Sequence, residues 1–280
     1  MNADALHLSG VSCTFVSRDD ASQRYTAVAD VDLRVGAGEF VSVVGPTGCG
    51  KSTLLNVAAG LLYPSKGAVS SFGAPLNGLN RRAGYMFQSE SLMPWRSALG
   101  NVMAGLEFAG LPKKQAQEQA QAWLARVGLT AFSDRYPHQM SGGMRKRTAL
   151  AQMLALDPDL LLMDEPFSAL DIQTRQLMEN EVLALWQQKA RAVLFITHDL
   201  DEAIALSDRV VVMSAGPASR PIGDFKVDLP RPRDVAEVRH TPRFMQLHQA
   251  IWDVLRDEVL KGYRQQLPAA VSSLEPRTSA

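Results

Sequence analysis

Short apolar segments separated by glycine-containing turns mark the beginning of the chain. The β-branched run at residues 40–44 predicts a buried strand, which the glycine-rich stretch from Gly45 to Gly50 ends. A helix is then predicted from Lys51 to Ala59. The forty residues before it contain short β-type segments with no helical period, so they predict an antiparallel β patch.

Further along the chain, β-type and helical patterns alternate. Strand-like segments occur at residues 68–69, 84–87, 160–163, 193–197 and 209–213. Alternation of this kind predicts a parallel sheet covered by helices. Residues 97–156 are helical instead, and within them Lys113 to Val127 has apolar side chains at three-to-four spacing before Gly128. This stretch is interpreted as a helical subdomain inserted into an α/β core.

After Pro217 the chain becomes rich in proline and arginine, and one more helix is predicted. Thr241 is its expected N-cap and Pro242 its first helical residue. The side chains expected on its buried face are Phe244, Leu247, Ile251, Val254, Leu255 and Val259.

The resulting division of the chain has three parts. Residues 1–234 form the main domain, with the helical insertion at about residues 89–157. Residues 235–266 form a C-terminal helical extension, and residues 267–280 are expected to be a disordered tail.

The composition is that of a globular protein. Hydrophobic residues make up 46% of the 280 residues, charged residues make up 21%, and 29 basic residues balance 29 acidic ones. This balance excludes a strong general attraction to nucleic acid. Cys13 and Cys49 are too few for a disulfide framework. The N-terminus lacks a signal-peptide pattern and no apolar run is long enough to span a bilayer, so a cytosolic location is expected.

The strongest chemical signal is the segment Gly45-Pro46-Thr47-Gly48-Cys49-Gly50-Lys51-Ser52, a complete Walker A pattern between a strand and a helix. Its glycines let backbone N–H groups converge on phosphate oxygens, and the helix N-terminus adds positive potential. Lys51 is expected to contact the β- and γ-phosphates and Ser52 to bind Mg²⁺. Thr53 is expected to add a further phosphate contact.

Two carboxylates end the apolar strand at residues 160–163. Asp164 is suited to the Mg²⁺ shell, and Glu165 is suited to orienting and deprotonating an attacking water. His198 follows another strand, at a place where a sensor of the γ-phosphate is expected. Together with the Walker A pattern, the acid pair is interpreted as a Walker B motif.

A third motif distinguishes among phosphate-loop proteins. Met140-Ser141-Gly142-Gly143-Met144 resembles the signature sequence of the ATP-hydrolysing subunits of ABC transporters, and Ser141, Gly142 and Gly143 open a predicted helix. The resemblance implies a head-to-tail dimer in which this segment meets the nucleotide of the other subunit. It also implies a RecA-like P-loop nucleotide-binding core with an N-terminal antiparallel β subdomain and an inserted α-helical subdomain.

The resemblance covers roughly residues 6–216 and assigns further roles. Gln88 matches the glutamine that approaches Mg²⁺ and water, residues 168–171 match the D-loop, and His198 matches the switch histidine. The metal ligands are then Ser52, Gln88 and Asp164, and the catalytic residues are Lys51, Gln88, Glu165 and His198. Phe15 is the expected aromatic partner of adenine, with Tyr25 as the alternative.

Finer features are similar to the subgroup of nitrate, sulfonate and taurine importers. These features are Met144, the segment at residues 136–139 and the segment at residues 93–96. Three positions depart from the usual pattern: the signature begins with Met140, Lys146 replaces a frequent glutamine, and Gln152 stands where arginine is common. The implied partners are a second ATPase subunit, membrane permease subunits and an extracytoplasmic solute-binding protein, with the chain itself peripheral at the cytoplasmic face of the membrane.

Two other functions of P-loop proteins fit this sequence less well. ABC ATPases that act on DNA or the ribosome generally carry long coiled-coil insertions or two fused cassettes, which this chain lacks. A P-loop phosphotransferase would leave the segment at residues 141–143 unexplained. Trp95 has two interpretations, either a core residue of the helical subdomain or a contact with the permease.

Overall fold

The computed structural model describes residues 4–16, 22–89, 91–189 and 191–266. The expected tail at residues 267–280 lies outside the described residues. The strands are β1 (Leu6–Val16), β2 (Arg24–Val35), β3 (Phe40–Val44), β4 (Lys66–Ser71), β5 (Ala74–Pro75), β6 (Ala83–Met86), β7 (Leu160–Asp164), β8 (Ala192–Ile196), β9 (Arg209–Met213) and β10 (Pro221–Lys226). The helices are α1 (Lys51–Ala58), α2 (Ala98–Phe108), α3 (Lys113–Arg126), α4 (Gly142–Ala155), α5 (Ile172–Lys189), α6 (Leu200–Leu206), α7 (Val235–Val238) and α8 (Pro242–Gln266).

A six-stranded sheet organises the chain, in the order β10-β9-β3-β8-β7-β6. Its strands run parallel except β10, which pairs antiparallel with β9 at one edge. The sheet confirms the predicted α/β core. The pattern analysis missed β10, because Pro221 and Gly223 weaken the strand signal, although an edge strand tolerates both residues.

The central strands β3, β7 and β8 are buried at every position and largely apolar, because helices or a second sheet cover both faces. In β7, Leu160 and Leu162 point to the face that packs on α1 and the antiparallel sheet. Leu161 and Met163 point to the opposite face, where helices α2 to α8 contribute most of the core. A strand with this alternation has no solvent-facing side, so polar residues first appear where it ends.

The second sheet is four-stranded and antiparallel, in the order β2-β1-β4-β5. Val11 of β1 and Val28 of β2 are buried in the same cluster as Leu54 of α1. The sheet therefore covers one side of α1, as the predicted antiparallel patch requires. At the far end of the β1–β2 pairing, Phe15 lies opposite Tyr25.

Helices α2, α3 and α4 lie in the part of the chain that connects β6 to β7, and they pack on one another. Ala116, Ala120 and Leu124 on α3 are buried, as their spacing predicts. The chain leaves this helix at Gly128, whose φ of +69° suits a residue without a side chain. No helix of the described ranges is long and apolar enough to cross a membrane.

Helix α8 starts as predicted. The Thr241 hydroxyl accepts a hydrogen bond from the Phe244 N–H at 3.3 Å, and Phe244 and Ile251 are buried. The prediction that Val259 is buried was wrong, because Val259 is 38% exposed. Near the end of the helix, the adjacent residue Glu258 is buried instead.

Candidate active site

A cavity of about 350 Å³ lies at the carboxyl ends of the parallel strands. Connections after β3, β6 and β7 supply most of its polar lining, because parallel strands all end at this edge. Its lining residues are Phe15, Tyr25, Ala27, Thr47, Gly48, Gly50, Lys51, Ser52, Thr53, Gln88, Asp164 and Glu165. The fold thus brings together predicted residues that are far apart in the sequence.

The loop after β3 has the backbone that a phosphate-binding loop needs. Gly48 and Gly50 have φ values of +79° and +87°, which residues that carry a side chain rarely adopt. A Cβ atom on Gly50 would lie 2.5 Å from a methyl group of Val28. The glycine therefore lets the loop pass close to β2 before helix α1 begins at Lys51.

Lys51 is buried in the first turn of α1. Its ammonium donates hydrogen bonds to the carbonyl oxygens of Gly45 at 2.8 Å and Pro46 at 2.9 Å. These contacts hold the positive charge at the loop and at the N-terminus of the helix, where an anion is favoured. Cys49 is buried beside it, and burial raises the pKa of its thiol, so the side chain packs as a neutral group.

Ser52 and Asp164 form the oxygen pair that was predicted to hold a metal ion. The Ser52 hydroxyl is hydrogen-bonded to the Asp164 carboxylate, which is almost fully buried. Burial raises the pKa of Asp164, and the hydrogen bond from Ser52 opposes this rise. A hydroxyl and a carboxylate at this spacing fit the oxygen preference of Mg²⁺, and a divalent cation would favour the charged carboxylate.

Glu165 lies between two of the other predicted catalytic residues. Its Oε1 atom is 3.2 Å from Nδ1 of His198, and its Oε2 atom is 3.5 Å from Nε2 of Gln88. Its backbone has a φ of +46°, and its N–H donates to the carbonyl of Ile196 at 2.9 Å. The unusual turn directs the carboxylate toward the cavity instead of back into the sheet.

Buried polar contacts hold the segment that carries His198. The Thr197 hydroxyl donates to Glu202 at 2.6 Å, and Asp199 caps helix α6. Arg175, from helix α5, lies 3.5 Å from the Asp199 carboxylate. The sequence analysis missed Arg175, because a lone arginine on a helix carries no pattern that would mark it.

The signature residues occupy a different place. Ser141 caps α4 by accepting a hydrogen bond from the Met144 N–H at 3.2 Å, with Gly142 and Gly143 in the first turn. None of these three signature residues lines the cavity that contains Lys51. In a single chain, the two predicted phosphate-contacting segments are therefore separate.

Helix α8 also reaches the phosphate loop, which the sequence analysis did not predict. A Cβ atom on Gly262 would lie 3.0 Å from Cβ of Pro46. Glu258 accepts a hydrogen bond at 2.7 Å from the N–H of Ala215, and the next residue, Gly216, lies against Gly48. The only sequence signal was a glycine inside a helical pattern, a residue that often marks close packing.

A phosphate loop, a buried aspartate followed by a partly buried glutamate, and a histidine lie together at the carboxyl edge of a parallel sheet, which is the arrangement of a P-loop ATPase. The family profile described as ABC transporter matches residues 28–168, and the chain belongs to this family. ATP binding and hydrolysis follow from that membership.

Several similar proteins are ATP-binding subunits of ABC transporters. The chain is 47% identical to an uncharacterised ABC transporter ATP-binding protein of Methanocaldococcus jannaschii, over 86% of this chain and 88% of the relative. It is 44% identical to the taurine import ATP-binding protein of Yersinia pestis, over 68% of this chain and 75% of the relative. It is 40% identical to the nitrate import ATP-binding protein of Synechococcus elongatus, over 91% of this chain and 93% of the relative. The resemblance to the nitrate and taurine importer subgroup is confirmed.

A solved structure supports the fold and the chemistry. The chain resembles a dimeric ATP-binding cassette in a post-hydrolysis state bound to ADP and Pi, with a TM-score of 0.74 and 29% identity. The match covers 80% of this chain and all of that chain. The predicted RecA-like ABC fold is confirmed, and the roles of individual site residues stay predictions.

We expect Glu165→Gln to keep ATP affinity within about threefold and to lower turnover by about a hundredfold or more, the usual contribution of a general base. Glutamine keeps the size and one acceptor but cannot take a proton from water. Steady-state hydrolysis and nucleotide titration measure the two effects, and gel filtration with ATP should show a stable dimer. Glu118→Gln, on the exposed face of α3, is the matched control. Normal turnover in the Glu165 variant would place the base elsewhere.

We expect Phe15→Ala to raise the KM for ATP more than Tyr25→Ala does. Both rings line the cavity. The Tyr25 hydroxyl lies near Gly216, so the Phe15 ring is the freer of the two to stack on the adenine base. Stacking on a base contributes on the order of 1–3 kcal/mol. Parallel ATP titrations with Tyr63→Ala, an exposed control, decide the order, and a larger effect at Tyr25 would reverse the assignment.

Proposed function

We propose that this chain energises an importer, as the ATPase subunit of a complex that takes up a small solute of the nitrate, sulfonate or taurine class. The observation that carries the chemistry is the meeting of Lys51, Ser52, Asp164, Glu165 and His198 around one cavity edge. The names of the taurine and nitrate import relatives support the direction of transport.

In this proposal, each of these residues has a role in hydrolysis. The loop N–H groups and Lys51 bind the phosphates. Ser52, Gln88 and Asp164 would hold Mg²⁺, which would supply neutralisation of the phosphate charge. Water attacks the γ-phosphorus, its proton passes to Glu165, and the bond from the β–γ bridging oxygen to the γ-phosphorus breaks. ADP and inorganic phosphate leave. His198, in contact with Glu165, is placed to sense the γ-phosphate.

A second ATPase subunit completes the site in this proposal. Ser141 and the N–H groups of the first turn of α4 form an anion-binding helix terminus that lies outside the cavity of its own chain. A head-to-tail dimer brings this terminus to the partner's nucleotide. The dimeric state of the related cassette supports this arrangement.

An apolar groove is the proposed docking place for a separate membrane permease. It has a volume of about 230 Å³ between the edge strand β6 and helices α2 and α4. Phe87, directly before Gln88, and Leu156 line it and are partly exposed. A permease helix in this groove would respond to movements of Gln88. The chain would then act at the cytoplasmic face of the membrane, with solute capture left to a separate binding protein.

Trp95 is an exposed aromatic side chain in the connection that leads from Gln88 to α2. It is 73% exposed, so it is not a core residue of this chain. Its turn is held on α2, because Asn101 accepts from the Met93 N–H at 2.7 Å and donates to the Met93 carbonyl at 3.2 Å. An exposed tryptophan on a fixed turn loses little conformational freedom on binding, which suits an interface anchor.

The proposal is tested by reconstitution with the permease encoded nearest to this chain's gene. ATP hydrolysis by the purified chain should require Mg²⁺ and should rise when the permease and the loaded binding protein are present in proteoliposomes. Stimulation by nucleic acid or ribosomes instead of the permease would contradict the transport assignment. Phosphate transfer to an acceptor other than water would contradict the ATPase mechanism.

We expect Trp95→Ala to leave the basal ATPase activity and the melting temperature of the isolated chain nearly unchanged. Stimulation by the reconstituted permease and solute uptake should fall by about tenfold or more, the loss typical of an interface hot spot. Tyr63→Ala, 72% exposed and located between α1 and β4, is the matched control and should keep stimulation. Full stimulation in the Trp95 variant would exclude this side chain from the permease contact.

A further inference from the structure

Helix α4 carries a buried lysine five residues after Ser141. Lys146 is 3% exposed, and its ammonium donates one hydrogen bond to the carbonyl of Gln88 and a longer one, at 3.4 Å, to the carbonyl of Phe87. Removing an ammonium from water is unfavourable unless partners replace the water. Backbone carbonyl oxygens are such partners, so the contacts to the Gln88 segment stabilise the lysine in this position.

Gln88 is thereby held at its backbone while its side chain faces the site. Strand β6 ends at Met86, and the carbonyls that receive the lysine follow directly after it. The side-chain amide of the same glutamine lies 3.5 Å from Glu165. A substitution of Lys146 would therefore shift the Gln88 amide, which lies next to the proposed base Glu165.

The geometry points to Lys146 as a positioning residue for ATP hydrolysis, which ties the start of the signature helix to Gln88 and so fixes the Gln88 amide beside Glu165. Lys146 does not touch the reacting atoms in this arrangement. The inference rests on the roles proposed above for Gln88 and Glu165. It also gives a route by which movement of α4 reaches the site, because Ser141 and Lys146 belong to one rigid helix.

The departure from the frequent glutamine at this position has a physical consequence. A glutamine amide is shorter and neutral, whereas lysine spans the distance to the carbonyls and brings a charge. The two side chains therefore differ both in the reach of the donor and in charge.

Two substitutions separate these contributions. Lys146→Met keeps most of the apolar stem but removes the donor and the charge, and we expect it to lower kcat by about tenfold to a hundredfold, as small misplacements in a site do. The KM for ATP should stay within about threefold, because the phosphate loop is untouched. Lys146→Gln keeps a donor and should give an intermediate kcat. Lys114→Met, at an exposed position in the first turn of α3, is the control and should behave as the wild type.

A double-mutant cycle with Gln88→Ala completes the test. If Lys146 acts through Gln88, the Lys146→Met loss should largely disappear in the Gln88→Ala background. An unchanged kcat in Lys146→Met, or an equal loss in both backgrounds, overturns the inference. Normal activity of Gln88→Ala alone would instead contradict the role of Gln88. If Lys146→Met melts far below the wild type, the same cycle run with Lys146→Gln decides, and a loss that persists in full without Gln88 overturns the inference.

Discussion

Three strands of the large sheet end at one level because their pairing is in register. Ile196 of β8 pairs with Val43 of β3 on one side and with Asp164 of β7 on the other. The ladder continues one residue further, since the Glu165 N–H donates to the Ile196 carbonyl and the Thr197 N–H donates to the Val43 carbonyl. A slip of one residue would turn each side chain to the other face. The register therefore sets both the core and the distances within the site.

Burial of charge is the second requirement of this arrangement. Lys51, Asp164 and Lys146 are all nearly inaccessible to water, and each would be costly alone. Two cations and a hydroxyl act on the carboxylate, while backbone carbonyls hold both ammonium groups. Electrostatic interactions in such a dry place are stronger than in water. The interactions that stabilise these buried charges therefore also prepare this end of the sheet to bind a polyanionic substrate and its cation.

Most of the fold and of the candidate site could be predicted, because both follow local rules. Buried parallel strands are apolar runs, and a phosphate loop must have glycines where φ is positive. The predictions that failed or stayed open concerned contacts between parts of the chain that are far apart in the sequence. Val259 has the right helical spacing to be buried, but the late part of α8 packs on a loop that spacing cannot reveal. The choice between Phe15 and Tyr25 also stayed open in the sequence, since a cross-strand pair places both rings beside the same cavity.

The late turns of α8 show why a distant helix belongs to the architecture of the site. Glu258 holds the N–H of Ala215, and the loop that follows is bonded to β2, where the Ala218 N–H donates to the Thr26 carbonyl at 2.6 Å. That strand carries Tyr25, and Gly262 meets the phosphate loop. The loop beside the phosphate site is therefore fixed from two sides, by the strand at the aromatic end of the cavity and by the C-terminal helix. Because neither support lies in the phosphate motif itself, the geometry of the pattern from Gly45 to Ser52 depends here on packing that only the folded chain supplies.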